Sequence, residues 1–190
     1  MKKYLIPIVS VYILLVILSF YIDPNMAIAL FKIHTPFLTA IFSYLGLIFT
    51  TAGIIILGSL LFIKKKTYIP YMVVGYIITG LIHIPLKFII NRARPFAELS
   101  LAKLPDISYD FSLWNTAFPS WHAAAMFFVV PFTFKIKSKL RYVWLVLALL
   151  MAFSRMYFGF HYLSDTLAGI LIGLGAGFLT LKIYEKKKGF

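Results

Sequence analysis

The sequence predicts an all-α, polytopic membrane protein: one domain over residues 1–190, built from six transmembrane helices. Three observations predict it. Of 190 residues, 62% are hydrophobic and only 13% charged, against about 45–50% and about 25% in a soluble domain. The mean hydropathy is +0.92. Uncharged runs recur at lengths that match a hydrocarbon core of about 30 Å, which takes roughly 20 helical residues per crossing. Basic residues also divide unevenly between alternate connections, the asymmetry that orients membrane helices.

The first span is residues 4–22. Lys2 and Lys3 precede it as in a secretory signal, but it ends Ser19-Phe20-Tyr21-Ile22-Asp23-Pro24 without a small-x-small cleavage site, so the reading is a retained span. Residues 25–35 are short and mildly amphipathic and are read as lying flat at the interface. Residues 36–63 and 68–86 supply the second and third spans. The long connection 91–117 holds Pro95, Pro105, three acidic residues and the aromatics Phe96, Tyr109, Phe111 and Trp114. A loop of that length in so short a chain points to function. The fourth span, 118–134, contains His122; the fifth, 142–160, contains Arg155 near its end; the sixth, 162–181, contains Asp165 near its start. Charges inside a span are costly unless they face protein or water, so these exceptions mark a site.

With the N-terminus inside, 13 basic residues fall on the inner side: Lys2, Lys3, Lys64, Lys65, Lys66, Lys135, Lys137, Lys139, Arg141, Lys182, Lys186, Lys187 and Lys188. Six fall outside: Lys32, Lys87, Arg92, Arg94, Lys103 and Arg155. An even number of spans then puts both termini in the cytoplasm. The net charge of +13 is therefore mostly topology. It argues against nucleic acid as a partner, since such a binder needs its basic residues on one wetted face. With no cysteine, disulfides and thiolate metal sites are excluded.

On that topology the polar residues converge. Lys87 and Arg94-Pro95 close the third span, Pro119-Ser120-Trp121-His122 opens the fourth, Ser154-Arg155 ends the fifth, and His161 with Asp165 opens the sixth. All lie at the outer, extracytoplasmic helix ends. Three cations suit phosphate oxygens, and imidazoles can transfer protons or attack phosphorus. Lys87 and Arg94 are about two helical turns apart, so they are expected to share a helix face roughly 10 Å apart, with their long side chains converging on one anion. Pro95 disfavours helix at Arg94 and turns the chain outward. Asp165 follows His161 by four residues, a neighbour spacing on a helix, so its carboxylate can accept one imidazole N–H and fix the tautomer. Pro119-Ser120 reads as a helix start, where free N–H groups favour an anion.

Lys87-x6-Arg94-Pro95, Pro119-Ser120-x-His122 and Ser154-Arg155-x5-His161-x3-Asp165 together resemble the three-part signature of the type 2 phosphatidic acid phosphatase family. The resemblance implies a phosphatase that needs neither metal nor cofactor. On these positions it implies His161 as the nucleophile that forms a phosphohistidine, Asp165 as its orienting partner and His122 as the acid that protonates the leaving group. It implies Lys87, Arg94, Ser120 and Arg155 as ligands of the phosphoryl oxygens, helped by backbone N–H groups near Trp121. The family most often has Gly where this chain has Trp121, which puts the pocket width and the backbone contact in question.

Other polar residues receive plainer readings. His34 and His83 are packed or hydrogen-bonded side chains, and Arg92 is either a headgroup contact or a solvated loop charge. Glu98, Asp106 and Asp110 are solvated, the lysine runs at 64–66 and 186–188 are topology signals, and Gly169, Gly173 and Gly177 serve helix packing. A transporter is the rival class, since polar residues in spans mark ion pathways, but transporter sites lie near the midplane and in repeated halves. A lipid phosphotransferase of the same family is a second rival. The expected partners are the bilayer and a membrane lipid phosphate: phosphatidic acid, phosphatidylglycerol phosphate, undecaprenyl diphosphate or a lipid A phosphate, with a phospholipid or glycolipid favoured. Size and short loops point to a bacterial cytoplasmic membrane.

Overall fold

The computed structural model describes residues 2–101, 116–136 and 139–187. Readings that fall on Lys103, Pro105, Asp106, Tyr109, Asp110, Phe111, Trp114, Lys137 and Lys188 lie outside the described residues. Helices follow one another as α1 (Lys2–Lys32), α2 (Pro36–Ile48), α3 (Thr51–Leu60), a 3₁₀ segment (Ile63–Tyr68), α4 (Ile69–Ile90), α5 (Pro95–Glu98), α6 (Trp121–Lys135), α7 (Leu140–Tyr157) and α8 (Leu163–Lys187). Among the described residues there is no strand. Four helical stretches are long and apolar enough to cross a membrane, and five if α2 and α3 count as one bent crossing.

The separate interfacial segment expected at residues 25–35 does not form; α1 runs through Pro24 to Lys32. Proline removes one backbone donor and breaks helices in water. In lipid the freed groups gain nothing by unwinding, and neighbouring elements can satisfy them. Val11, Leu14, Leu15, Ile17 and Leu18 are exposed on α1, an apolar surface suited to acyl chains.

The run 36–63 is likewise two helices, bent by 70° where α2 meets α3. Thr50 caps α3, its hydroxyl accepting the Gly53 N–H at 3.1 Å, a local bond that competes with helix continuation. A Cβ on Gly53 would strike the carbonyl oxygen of Ile48, so the bend needs glycine there.

α6 is the centre of the bundle: residues 123–133 are all buried. Its 15 residues rise about 22 Å, short of a full crossing. The helix it packs against most extensively is α8. A Cβ on Gly169, Gly173 or Gly177 would strike the carbonyl oxygens of Ser120, Ala124 and Phe128 respectively. The packing role read for this glycine series is what the two backbones require. Aromatic rings of Phe62, Tyr68, Phe128 and Phe132 fill the adjoining core. Trp144 ties α7 to α6 by donating Nε1–H to the Met126 carbonyl at 2.9 Å, and Lys135 pairs with Glu185 at the far end of α6 and α8.

Candidate active site

Each predicted residue is placed by a helix terminus. α4 stops at Asn91, which adopts the left-handed conformation (φ 40°) and donates its N–H to the Lys87 carbonyl at 3.1 Å, a common helix-end geometry for asparagine. Arg94 is extended (φ −80°, ψ 149°) ahead of Pro95, the first residue of α5, as a pre-proline residue should be. Lys87 and Arg94 therefore do not share a continuous helix face, contrary to the spacing argument. The turn between them brings both into one cavity instead.

Ser120 is the N-cap of α6, with its hydroxyl 3.5 Å from the Ala123 N–H, and His122 follows in the first turn. At the end of α7 the Arg155 carbonyl accepts N–H bonds from both Phe160 (3.0 Å) and His161 (3.3 Å). Gly159 makes this reversal possible by adopting φ 67°, a region open to glycine at little cost. The tight connection sets His161 beside Arg155 immediately before α8.

Lys87, Arg94, Trp121, His122, Arg155 and His161 line one cavity of about 350 Å³, together with Thr51, Gly80, His83, Ile84 and Phe160. That size holds a phosphate headgroup with its first substituents. Thr51 reaches the cavity because of the α2–α3 bend. Of the predicted set, Ser120 and Asp165 lie behind the wall, and both are fully buried. The Ser120 N–H donates to the Asp165 backbone carbonyl at 2.9 Å, which locks the start of α6 to the first turn of α8.

His161 Nδ1 lies 2.6 Å from the Ala117 carbonyl oxygen. A carbonyl only accepts, so Nδ1 carries the proton and Nε2 keeps its lone pair. The expected tautomer follows, but through a backbone carbonyl; the nearest Asp165 oxygen is 3.9 Å from Nδ1. Burial, then the positive charges of Arg94 and Lys87, push the His161 pKa well below the usual 6.5, which keeps this imidazole neutral.

Lys87 donates Nζ–H to the Thr116 carbonyl at 2.5 Å, aligning the ammonium across the cavity. The Arg155 guanidinium lies 5.5 Å from the Phe160 ring and against Gly46 of α2, where any side chain would meet it. Trp121 donates Nε1–H to the Thr51 hydroxyl at 3.2 Å and sets its ring against His83, centroids 5.2 Å apart. The ring thus forms part of the cavity wall.

Several plainer readings change. His83 is hydrogen-bonded as expected, Nε2 to the Pro119 carbonyl at 2.9 Å, yet it also lines the cavity. His34 is bonded to the Tyr157 carbonyl. Glu98 accepts from the Tyr162 hydroxyl at 2.8 Å and is not merely solvated. Arg92 is neither a headgroup contact nor a free loop charge: it pairs with Asp23 at 2.9 Å and Asp165 at 3.0 Å. Asp23, which the sequence reading gave no role, is fully buried.

The family model of the PAP2 superfamily matches residues 68–188. The chain belongs to the PAP2 superfamily. It is 31% identical to phosphatidylglycerophosphatase B of Bacillus subtilis over 147 residues, 72% of this chain and 68% of that protein. It is 30% identical to the bacitracin transport permease protein BcrC of Bacillus licheniformis over 112 residues, 58% of this chain. The match spans about half of BcrC, 53%. The crystal structure of a transmembrane PAP2-type phosphatidylglycerolphosphate phosphatase from Bacillus subtilis superposes with a TM-score of 0.71 at 26% identity, covering 94% of this chain and 96% of that one. The fold of Aquifex aeolicus LpxE is also shared, with a TM-score of 0.67 over 85% of this chain and 95% of that one. The family resemblance read from the three motifs therefore holds, and the chain is a multi-pass membrane protein with a PAP2 fold.

Proposed function

We propose that this chain is an integral-membrane lipid phosphate phosphatase that hydrolyses a phosphomonoester or diphosphate through a phosphohistidine on His161. The observation that carries the reading is the Ala117 carbonyl on His161 Nδ1 at 2.6 Å, which leaves Nε2 as a neutral nucleophile in a cavity shared with three cations. Lys87, Arg94 and Arg155 neutralise the phosphoryl oxygens before attack, so little reorganisation is needed as charge shifts. The Nε2 lone pair forms a bond to phosphorus, the ester P–O bond breaks, and the leaving oxygen takes a proton from His122. The negative charge of bound phosphate beside His122 favours that proton's uptake beforehand. Water then attacks the phosphohistidine, giving its proton to His122 as the P–N bond breaks and orthophosphate leaves. Splitting a very slow hydrolysis into two steps, with the charge offset by fixed cations, supplies the rate. The cations fill the electrostatic role a metal would otherwise play, and Asp165 balances the imidazolium charge from behind.

Six crossings fit this fold if α6 counts as a short, protein-enclosed crossing and α2–α3 as one bent crossing. The 13-to-6 division of basic residues then supports cytoplasmic termini and a site facing the periplasm or exterior of a bacterial cytoplasmic membrane. Gly80 and Ile84 of α4 join the cavity lining, and Ile84 is exposed on the bundle surface, so a lipid substrate can keep its tails in the bilayer. Relatives named phosphatidylglycerophosphatase B and, at 26% identity, lipid A 4'-phosphatase of Porphyromonas gingivalis favour a phospholipid or glycolipid phosphate. The name of BcrC raises transport as a second reading; the polar cluster at the helix ends, away from mid-helix, favours hydrolysis.

The test is phosphate release by purified protein in detergent with EDTA, from phosphatidic acid, phosphatidylglycerol phosphate, undecaprenyl diphosphate and lipid A side by side. His161→Ala is expected to lose at least about 10⁴-fold in kcat, the scale on which loss of a nucleophile acts. Unchanged release in that variant overturns the reading. Appearance of a phosphorylated acceptor lipid in place of orthophosphate converts it to phosphotransfer.

A further inference from the structure

Behind His161 lies a charge cluster that none of the three motifs describes in full. Asp165 presents Oδ2 toward His161 Nδ1 at 3.9 Å and accepts the Tyr162 N–H on the same oxygen at 2.6 Å. Its other oxygen, Oδ1, is held by Arg92 Nη1 at 3.0 Å. Arg92 reaches back with Nη2 to Asp23 Oδ2 at 2.9 Å. Ser164 closes the ring: its hydroxyl accepts from Arg92 Nη1 at 2.6 Å and donates to Asp23, and its N–H donates to Asp23 Oδ1 at 3.1 Å. Phe20 and Tyr162 cover the guanidinium, their ring centroids 4.7 and 3.9 Å from its carbon. Both carboxylates are fully buried.

Each member of this ring has a physical task. A carboxylate removed from water needs a counter-charge and full hydrogen bonding, and Arg92 supplies both to Asp165 by taking Oδ1, which turns Oδ2 toward the imidazole. A guanidinium so close to Asp165 would cancel the negative field that an imidazolium needs as Nε2 bonds to phosphorus. Asp23 offsets Arg92 in turn. Two carboxylates around one guanidinium leave a single net negative charge behind the histidine.

We propose that Arg92 and Asp23 act as positioning residues for the reaction, a clamp through which α1 sets the orientation and effective charge of Asp165 behind His161. The inference rests on the role proposed for His161. Asp23 lies outside residues 68–188, the stretch matched by the family model, so α1 contributes chemistry here and is not only a membrane anchor.

The test uses the full chain in detergent, with kcat and KM measured on a lipid phosphate and folded protein quantified by size exclusion and thermal unfolding. Asp23→Asn is expected to lower kcat by about ten- to a hundredfold, the range for residues that orient an active ligand, with KM within about twofold because the cavity cations are untouched. Arg92→Lys keeps the charge but cannot fork between two carboxylates, and is expected to fall in the same range. Arg92→Gln leaves two uncompensated carboxylates and should lose more. Adding Asp23→Asn to it restores the net single charge, so the double variant should be more active per folded molecule than Arg92→Gln alone. Wild-type kcat in Asp23→Asn, or losses that simply add in the double variant, overturn the clamp. If Arg92→Gln does not fold, Asp23→Asn and Arg92→Lys decide the matter. Activity surviving in His161→Ala sinks the parent reading instead, whatever these variants do.

Discussion

The two sides of His161 are built from opposite charges. The cavity side carries Lys87, Arg94 and Arg155, with no carboxylate in the lining among the described residues; the buried side carries Asp23 and Asp165 around a single guanidinium. The cationic side lines the cavity, where its charges can meet phosphate in the proposed reaction. The anionic side is closed, and its charges are met by one another. In the proposed reaction the imidazole between them is kept proton-free by burial and then by the cations of the first side, and is stabilised by the second once it becomes cationic. The difference teaches that net charge means little here; what matters is which side of one imidazole each charge occupies.

The largest effect that can test the division, short of removing the histidine, comes from the cavity side. Arg155→Ala deletes a buried cation of the cavity lining, proposed to hold the transferred group, and is expected to lower kcat/KM by about 10²–10³-fold, as loss of one preorganised transition-state donor does. Retained kcat/KM in that variant, measured against the modest loss expected for Asp23→Asn, would invert the roles given to the two sides.

A second measurement reads the same division through protons. His161 has its pKa pushed well below 6.5 by burial and then by Arg94 and Lys87. In the proposed reaction the attacking form is the neutral one, so kcat/KM, which reports the free enzyme, should hold down to pH below 6.5 and fall only on the acid side of that. Arg94→Gln removes one repelling charge, so its acid limb should move up toward 6.5, besides a loss of rate. An acid limb that stays put in Arg94→Gln, or lies above pH 7 in the wild type, means that another group governs it.

The cavity side was largely legible in the sequence and the buried side was not, for a physical reason. Lys87, Arg94, His122, Arg155 and His161 sit at helix ends, and helix ends are written locally by Pro95, Ser120 and the close of an apolar run. Asp23 and Arg92 meet only because α1 packs against α8 and the connection between α4 and α5 brings Arg92 onto both, a long-range fact with no local signature. The one hint was Asp23 itself, a carboxylate closing an apolar run with no adjacent cation. The same limit explains the helices. Thr50-Thr51-x-Gly53 interrupts an otherwise apolar stretch, but threonine is tolerated inside membrane helices, so only the packing shows that the chain bends there. Pro24 marks a helix end by the rules of water, and lipid relaxes those rules.

The smallest effect concerns the residue in which the chain departs from the usual family pattern. Trp121 is wall material, tied to Thr51 across the α2–α3 bend and seated on His83. Its backbone stays at the start of α6, where an N–H can still meet an anion. Trp121→Gly leaves that N–H in place, removes the indole and weakens the helix start by about 1 kcal/mol. The cavity widens where the indole lines it, beside Thr51 and His83. Discrimination set by the fit of an apolar wall is modest, about 1–3 kcal/mol between ligands that differ by a small group, so a few-fold change in kcat/KM is expected for a small headgroup phosphate. A larger headgroup should gain relative to it. The check is the ratio of kcat/KM for lipid A phosphate to that for phosphatidic acid, in wild type and Trp121→Gly. A rise of a few-fold assigns Trp121 to headgroup selection. A loss of a hundredfold on both substrates would move the residue from the wall of the cationic side into its binding chemistry.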